Sequence, residues 1–288
     1  MLDYRFDTFI VLCDTMNYTK AAEKLNLTQP AVTQHIRYLE NMYDGKLFNY
    51  DGKKLKLTEK GIRLLEFTKS MKYNSLKIKS VISEPNTTDF NIGVSKTIGE
   101  YIIAPKIKKI LESKPNAKFS LAVENTQELL YLLEESKLDF VLVEGFFDSC
   151  KYDSKLYKKE SFIGVCSPRC QFAGEKITIN EILDERLILR EIGSGTRAIF
   201  EEALYRKNYS INNFKKVISI NDFSIIKSII ANDLGISFLY EPVVADEIEK
   251  GILAKFEIKD LIMDGAFYFV CLKDNLFSMD WINFIKSV

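Results

Sequence analysis

The sequence predicts an α/β protein in three parts: an N-terminal winged helix-turn-helix, a long linker helix, and a two-lobed α/β domain. Three observations carry this. Apolar residues recur at helical spacing through the first 45 positions and then give way to the alternation of a hairpin. From Thr58 to about Ser83 no proline interrupts the chain. Beyond residue 88, strand-like runs alternate with helical ones, twice over. The expected boundaries are 1–58 for the winged helix, 59–86 for the linker and 87–288 for the last domain. Within it, lobe I takes 87–160 and 265–288, and lobe II takes 161–264.

Leu2, Phe6, Phe9, Ile10 and Cys13 lay one apolar stripe along the opening helix. After a break at Asn17-Tyr18 a short helix runs over Lys20–Leu25, with Thr19 placed to cap it and Ala21-Ala22 small enough for a close helix crossing. A turn at Asn26-Leu27-Thr28 leads into the segment Gln29–Glu40. Thr28 is its expected N-cap, and Pro30 falls in a first turn where a missing N–H costs nothing. Val32, Ile36, Leu39 and Tyr43 share the predicted buried face, and Pro30, Thr33, Gln34, Arg37 and Asn41 lie opposite. That polar face carries donors of the kind that meet phosphates and base edges, although any solvated helix face is also polar. Next, Asp51-Gly52 between alternating segments signals a hairpin. Leu55 and Leu57 alternate with Lys54 and Lys56, giving an apolar inner face and a basic outer one that suits a phosphate backbone. His35, the single histidine, sits beside the buried stripe, and no partner motif gives it catalytic work.

Three helices and a basic hairpin give the polar face a context. The order Phe9…Thr19-x-Ala21-Ala22-x-x-Leu25…Thr28-Gln29-Pro30-Ala31-Val32-Thr33-x-x-Ile36-x-x-Leu39-Glu40…Leu47-Phe48…Leu57-Thr58-x-x-Gly61 resembles the DNA-binding domain of LysR-type regulators over the first 62 residues. The resemblance implies that Gln29, Pro30, Thr33, Gln34 and Arg37 face double-stranded DNA; Thr19, Lys53 and Lys54 complete the expected contact set. Two departures stand out. Tyr43-Asp44-Gly45 replaces the family's usual Leu-Gly step, and Tyr50 stands where a basic residue is usual.

Along the linker, Ile62, Leu65, Met71, Leu76, Ile78 and Ile82 are apolar and need a partner; the same helix of a second chain is the simplest one. The resemblance implies an antiparallel helix pair, and so a homo-oligomer, dimer or tetramer. Glu84-Pro85-Asn86-Thr87-Thr88 ends the linker with breaker residues.

In the first lobe, Phe90–Val94 reads as a strand, about Thr97 to Glu112 as a helix, Phe119–Val123 as a strand, Thr126–Glu135 as a helix and Leu138–Val143 as a strand. The second cycle reads Phe162–Cys166, Leu187–Leu189, a helix after Thr196, Val217–Ile220, a helix Phe223–Asn232, Gly235–Leu239 and a helix from Pro242. Gly265–Leu272 is a late strand, and a short helix carrying Trp281 closes the chain. This order predicts parallel sheets covered by helices, with ligand sites at strand carboxyl ends. Two strand-to-helix junctions, Ser95-Lys96-Thr97-Ile98-Gly99 and Gly193-Ser194-Gly195-Thr196-Arg197, offer hydroxyls and free N–H groups to an anion, with Arg197 as a forked donor; each also reads as an ordinary capped turn.

Strings such as Thr97-Ile98-Gly99-Glu100-Tyr101, Asn125-Thr126-x-Glu128, Val143-Glu144-Gly145 and Leu189-Arg190-Glu191-x-Gly193-Ser194-Gly195-Thr196-Arg197 are similar to the effector domain of one LysR branch. That branch holds regulators of sulfur assimilation and carbon fixation, and its domain resembles type 2 periplasmic binding proteins. It implies an effector cleft lined by Ser95, Thr97, Asn125, Thr126, Gly145, Thr196 and Phe223, to which Lys96, Gly195 and Arg197 add anion-binding capacity.

Composition is compatible with this reading. The net charge is zero, but residues 1–85 hold 14 Lys/Arg against 10 Asp/Glu and the remainder 26 against 30. No run approaches a membrane span, and the first residues do not read as an export signal, so a cytoplasmic location is expected. Five scattered cysteines are expected to be reduced, with no metal site and no cofactor. RNA polymerase is a further candidate partner. Rival readings are an enzyme, which lacks every catalytic motif sought, a two-lobed solute-binding module, and a thiol-based redox regulator acting through Cys166 and Cys170.

Overall fold

The structure is a computed structural model that describes residues 3–83, 89–113, 115 and 118–276. These separate into two compact units: residues 3–83 with 134–136 and 272–276, and residues 89–133 with 137–271. Leu2, the Glu84–Thr88 breaker segment and the Trp281 helix lie outside the described residues.

The first unit holds α1 (Tyr4–Thr15), α2 (Tyr18–Leu25), α3 (Gln29–Met42), a hairpin of β1 (Phe48–Asp51) and β2 (Lys54–Leu57), and α4 (Glu59–Ser83). Its core gathers Phe9, Leu12, Ala21, Ala22, Val32, Ile36, Leu39, Leu47 and Leu55. Asn17, not Thr19, caps α2: its Oδ1 accepts the N–H groups of Thr19 and Lys20. A short Asn side chain reaches two orphan N–H groups from the extended backbone before the helix, which a residue already in the helix cannot do. Thr28 caps α3 through the Ala31 N–H. Tyr43 does not continue the buried stripe. Asp44 turns into the left-handed region (φ 46°), the Gly45 N–H closes on the Glu40 carbonyl, and Tyr43 is left 41% exposed. In the hairpin Phe48 faces Leu57 and Asp51 faces Lys54, with Gly52 (φ +61°) in the turn.

The second unit holds β3 (Asp89–Ser95), α5 (Lys96–Tyr101), α6 (Ala104–Ser113), β4 (Lys118–Glu124), α7 (Thr126–Glu134) and β5 (Phe140–Glu144). It continues with β6 (Tyr152–Cys166), β7 (Lys176–Ile177), β8 (Arg186–Leu189), α8 (Gly195–Tyr205), β9 (Lys216–Ser219), α9 (Phe223–Ala231), β10 (Ile236–Tyr240), α10 (Glu241–Glu249), β11 (Ala254–Ile258) and β12 (Asp264–Leu272). The single helix expected over 97–112 is two helices. Pro105 lacks an N–H and would collide with the carbonyl four residues back, so α5 stops and α6 starts afresh around it.

Hydrogen-bonded strands follow the order β4-β3-β5-β12-β6-β10-β8-β9, with β11 paired to β6. β3 pairs in parallel with both β4 and β5; β8 pairs in parallel with both β9 and β10. In each lobe, then, the first parallel strand is central, the chain adds one neighbour through a helical connection, and then crosses to the other side. The reversal falls between β3 and β5 in one lobe and between β8 and β10 in the other. β12 and the 15-residue β6 join the lobes.

Candidate functional site

Two surfaces emerge, one in each unit. In the first, α3 presents Gln29, Pro30, Gln34 and Arg37 exposed, with Thr33 half-buried. Thr33 Oγ1 donates to the Gln29 carbonyl (3.0 Å) and receives the Gln29 amide (3.3 Å), which fixes both side chains at the helix start. Gln29, Thr33 and Arg37 line a shallow groove continued by Tyr18, Asn49 and Tyr50. Arg37 has no ion-pair partner among the described residues. On the hairpin, Lys56 is neutralised by Asp51 at 2.6 Å, while Lys53 and Lys54 are exposed and cationic. Glu40 is buried behind this face and receives the Leu47 N–H (3.0 Å) and the Lys46 ammonium (2.9 Å), locking hairpin to helix. Thr19 is exposed at the first turn of α2. His35 accepts or donates a hydrogen bond with Thr8 Oγ1 at 2.9 Å and meets Tyr4 edge-on, a packing role.

In the second unit, the two topological reversals put four residues at strand carboxyl ends: Ser95 on β3, Glu144 on β5, Tyr240 on β10 and Arg190 just past β8. All four are at most 2% exposed. Ser95 Oγ, Thr97 Oγ1 (2.9 Å) and Thr196 Oγ1 (3.2 Å) donate to the Glu144 carboxylate, so hydroxyls of both lobes converge on one anion. Thr97 and Thr196 also touch each other at 3.3 Å. Thr126 Oγ1 donates to the Glu144 carbonyl (3.0 Å). Gly145 (φ +95°) faces the Gly195 backbone so closely that a β-carbon on it would lie 2.8 Å from the Gly195 Cα. Here the lobes meet backbone to backbone, and only glycine permits it. Burial drives the Glu144 carboxyl above the ordinary carboxylate range, while the three hydroxyls and the nearby Arg190 cation pull it back. Burial and the facing Glu144 likewise push the Tyr240 phenol up.

Arg190 is the cation of this site. Its Nε and Nη2 grip Glu191 (2.8 and 3.1 Å), and its guanidinium lies 4.1 Å over the Phe223 ring. Phe223 in turn meets Tyr101 edge-on at 5.5 Å, one helical turn from Thr97. Nη1 of Arg190 is buried and has no hydrogen-bond partner among the described residues.

Of the residues expected at a cleft, Ser95, Thr97, Thr126, Gly145, Gly195, Thr196 and Phe223 are brought together. Lys96 reaches across to the Asn221 carbonyl at 3.0 Å. Asn125 instead caps α7, its Oδ1 accepting the Glu128 N–H. Arg197 does not offer the free fork expected of it. Its Nε pairs with Glu201 one turn along (2.8 Å) and Nη1 leans on the Arg190 carbonyl, though it borders an open groove with Thr126, Phe146 and Ile192. Sequence alone does not single out Glu144, Arg190 and Tyr240 as site residues. Their one available signal is a polar or charged side chain closing a mostly apolar strand. Burial and Cys170 raise the Cys166 thiol to about 12, leaving it protonated and a poor nucleophile at neutral pH. Among the described residues no cluster suited to a metal is found, and no helix is long and apolar enough to cross a membrane.

Family models place the chain. That of the bacterial regulatory helix-turn-helix protein, lysR family, matches residues 5–62, and that of the LysR substrate binding domain matches residues 83–284. The chain is 28% identical to the uncharacterized HTH-type transcriptional regulator MJ0300 of Methanocaldococcus jannaschii (92% of this chain, 90% of the other). It is 28% identical to CysL of Bacillus subtilis (84% and 81%) and 27% identical to the transcriptional activator CmpR of Synechocystis (96% and 91%). CysL and CmpR fit the sulfur-assimilation and carbon-fixation branch that the effector-domain strings resemble. The fold matches Corynebacterium glutamicum OxyR (TM-score 0.62, 20% identity, 98% and 89% covered) and the Synechocystis CcmR regulatory domain in complex with 2-PG (0.61, 20%, 69% and 96%). With both of its family's domains present in order, the chain belongs to the LysR family: a DNA-binding transcriptional regulator with a small-molecule effector domain, and not an enzyme.

Proposed function

We propose that this regulator reads its operator through α3 and the hairpin and is switched by a small anionic effector held at the two strand-end reversals. In this reading residues 1–58 bind DNA, 59–86 link and dimerise, and 87–288 bind the effector, with lobe I (87–160, 265–288) and lobe II (161–264) closing on it. Arg37 and Gln34 read base edges from the major groove. Gln29, Pro30 and Thr33 set the fit, and Thr19, Lys53 and Lys54 hold phosphates. What supports this half is Arg37, a cation without an ion-pair partner among the described residues, exposed beside the fixed side chains of Gln29 and Thr33. The effector half rests on one observation: Ser95, Thr97 and Thr196, from both lobes, direct their hydroxyls at a single buried anion. Lys96, Asn125, Thr126, Gly145, Gly195, Arg197 and Phe223 surround that point or its rim. The protein assembles as a dimer or tetramer in the cytoplasm, and closure of the effector cleft alters either DNA bending or contact with RNA polymerase. An effector switches it only by binding one arrangement of subunits better than another.

The DNA half is tested by Arg37→Ala, which is expected to lose about 1–3 kcal/mol of preference among operator variants. Unchanged preference in a competition binding assay removes Arg37 from base reading. For the effector half, a thermal-shift panel of small organic acids and sulfur and phosphorus oxyanions is run on the full chain. At least one compound should raise the melting temperature and lose that effect in Thr196→Val. A panel inert throughout refutes the site.

A further inference from the structure

The hydroxyl cradle is already occupied, and by the chain's own carboxylate. An anion arriving there meets Glu144 as well as the hydroxyls, and two like charges a few ångströms apart in a dry site repel strongly. The arrangement is tolerable only if a proton lies between them. Opposite stands Arg190, 2% exposed, with two nitrogens committed to Glu191 and Nη1 committed to nothing described. A buried guanidinium N–H without an acceptor is costly unless a ligand supplies one. The guanidinium lies over the Phe223 ring, which Tyr101, one helical turn from Thr97 on α5, meets edge-on.

We infer that Glu144 and Arg190 together select the effector: a small oxyanion or acid that carries its own proton, donating an O–H to the Glu144 carboxylate while an unprotonated oxygen accepts from Arg190 Nη1. This rests on, and sharpens, the effector reading above. The ligand class is the partly protonated oxyanion of a weak acid, or an acid with a hydroxyl beside its anionic group. Oxyanions of strong acids, which have no proton to give at neutral pH, are excluded by charge and not by size. Such discrimination has a physical precedent in any buried acceptor that faces an acceptor-only ligand: the unpaired contact is paid for in affinity. The raised Glu144 carboxyl agrees with a residue that readily shares a proton.

The test uses the full chain and two probes of similar shape, inorganic phosphate and inorganic sulfate, titrated calorimetrically near pH 7 at matched ionic strength. Phosphate, largely mono- and dihydrogen there, is expected to bind on the order of tenfold or more tightly than sulfate. Glu144→Gln, whose amide can donate to either anion, should bring the two within about threefold, with folding checked by circular dichroism. Arg190→Met should weaken phosphate at least about tenfold. The wild-type comparison needs no variant, so poor folding of the Glu144→Gln chain does not rescue the idea. Equal affinities for the two anions in the wild type, or no binding of either at concentrations on the order of 10 mM, overturn the proton-based selection. Where phosphate and sulfate fail in this way, a Thr196-dependent response to another member of the acid panel confines the failure to this inference; if the whole panel is inert, the effector site itself fails.

Discussion

A carboxylate sealed at the end of an apolar strand is expensive, by several kcal/mol once desolvated. Glu144 survives there because three hydroxyls donate to it and Arg190 lies near. The balance still favours the protonated form relative to water, so its folded-state pKa lies above the ordinary 4.5. The sign follows by linkage. The stabilising effect of this group is fully present below about pH 4.5 and is lost as pH rises through the raised value. Glu144→Gln has the same shape and does not titrate, so the melting difference between variant and wild type isolates the group from Arg190 and Tyr240, which remain in both. The variant is expected to gain on the wild type as pH increases across that window. A difference that is flat with pH, or one that shrinks, means Glu144 is better solvated than its burial implies.

Among the elements, α4 shows how tightly backbone shapes are matched. Gly61 opens that helix under the Thr58 cap, its N–H on Thr58 Oγ1 at 3.0 Å, and a β-carbon there would run into the Leu47 carbonyl, a backbone atom that cannot step aside. Gly61→Ala is therefore expected to destabilise the winged helix by about 1–3 kcal/mol despite alanine's better helix propensity. Amide exchange of α1–α3 reads this: faster exchange is expected, and unchanged protection shows that the hairpin yields. The same fit explains what sequence alone reveals. Helices of period 3.6 and a Gly-turned hairpin are legible in the winged helix because each buries one face against a common core. Pro105 is plain in the sequence, yet the apolar spacing on either side of it reads as one continuous helix. The first two-thirds of β6, Tyr152–Ser161, escapes because most of it is exposed and polar, and β11 because only Phe256 and Ile258 are buried in it. In the site, Ser95, Thr97 and Thr196 are legible as strand-to-helix junctions. Glu144 and Arg190 are not, since a charge that ends a strand looks like the start of a solvated loop until tertiary structure closes over it. Arg197 fails as a free donor for a simpler reason: Glu201, four residues on, stands ready in the sequence to claim it.

For the whole molecule, the unbalanced feature is the outer side of α4. Phe67, Met71, Ile78 and Ile82 are 37–72% exposed, and at about 100° per residue they fall within a roughly 60° arc. Leu64 and Thr68, nearer the start of the helix, are buried against their own unit. A four-residue apolar stripe on a 25-residue helix is more than scattered surface hydrophobicity, and its straight run suits a second copy of the same helix better than a globular partner. In a two-fold pair each substitution acts twice. Met71→Glu with Ile78→Lys is thus expected to weaken self-association on the order of a hundredfold or more, at about 1.5–3 kcal/mol for each buried side chain lost. Sedimentation velocity at micromolar concentration reads the mass directly. The double variant should sediment as a monomer and should also bind a two-half-site operator no better than a single half-site, because the two winged helices would no longer be tethered. Retention of the oligomer with this stripe charged would place the dimer contact elsewhere and leave the apolar side of α4 without an occupant.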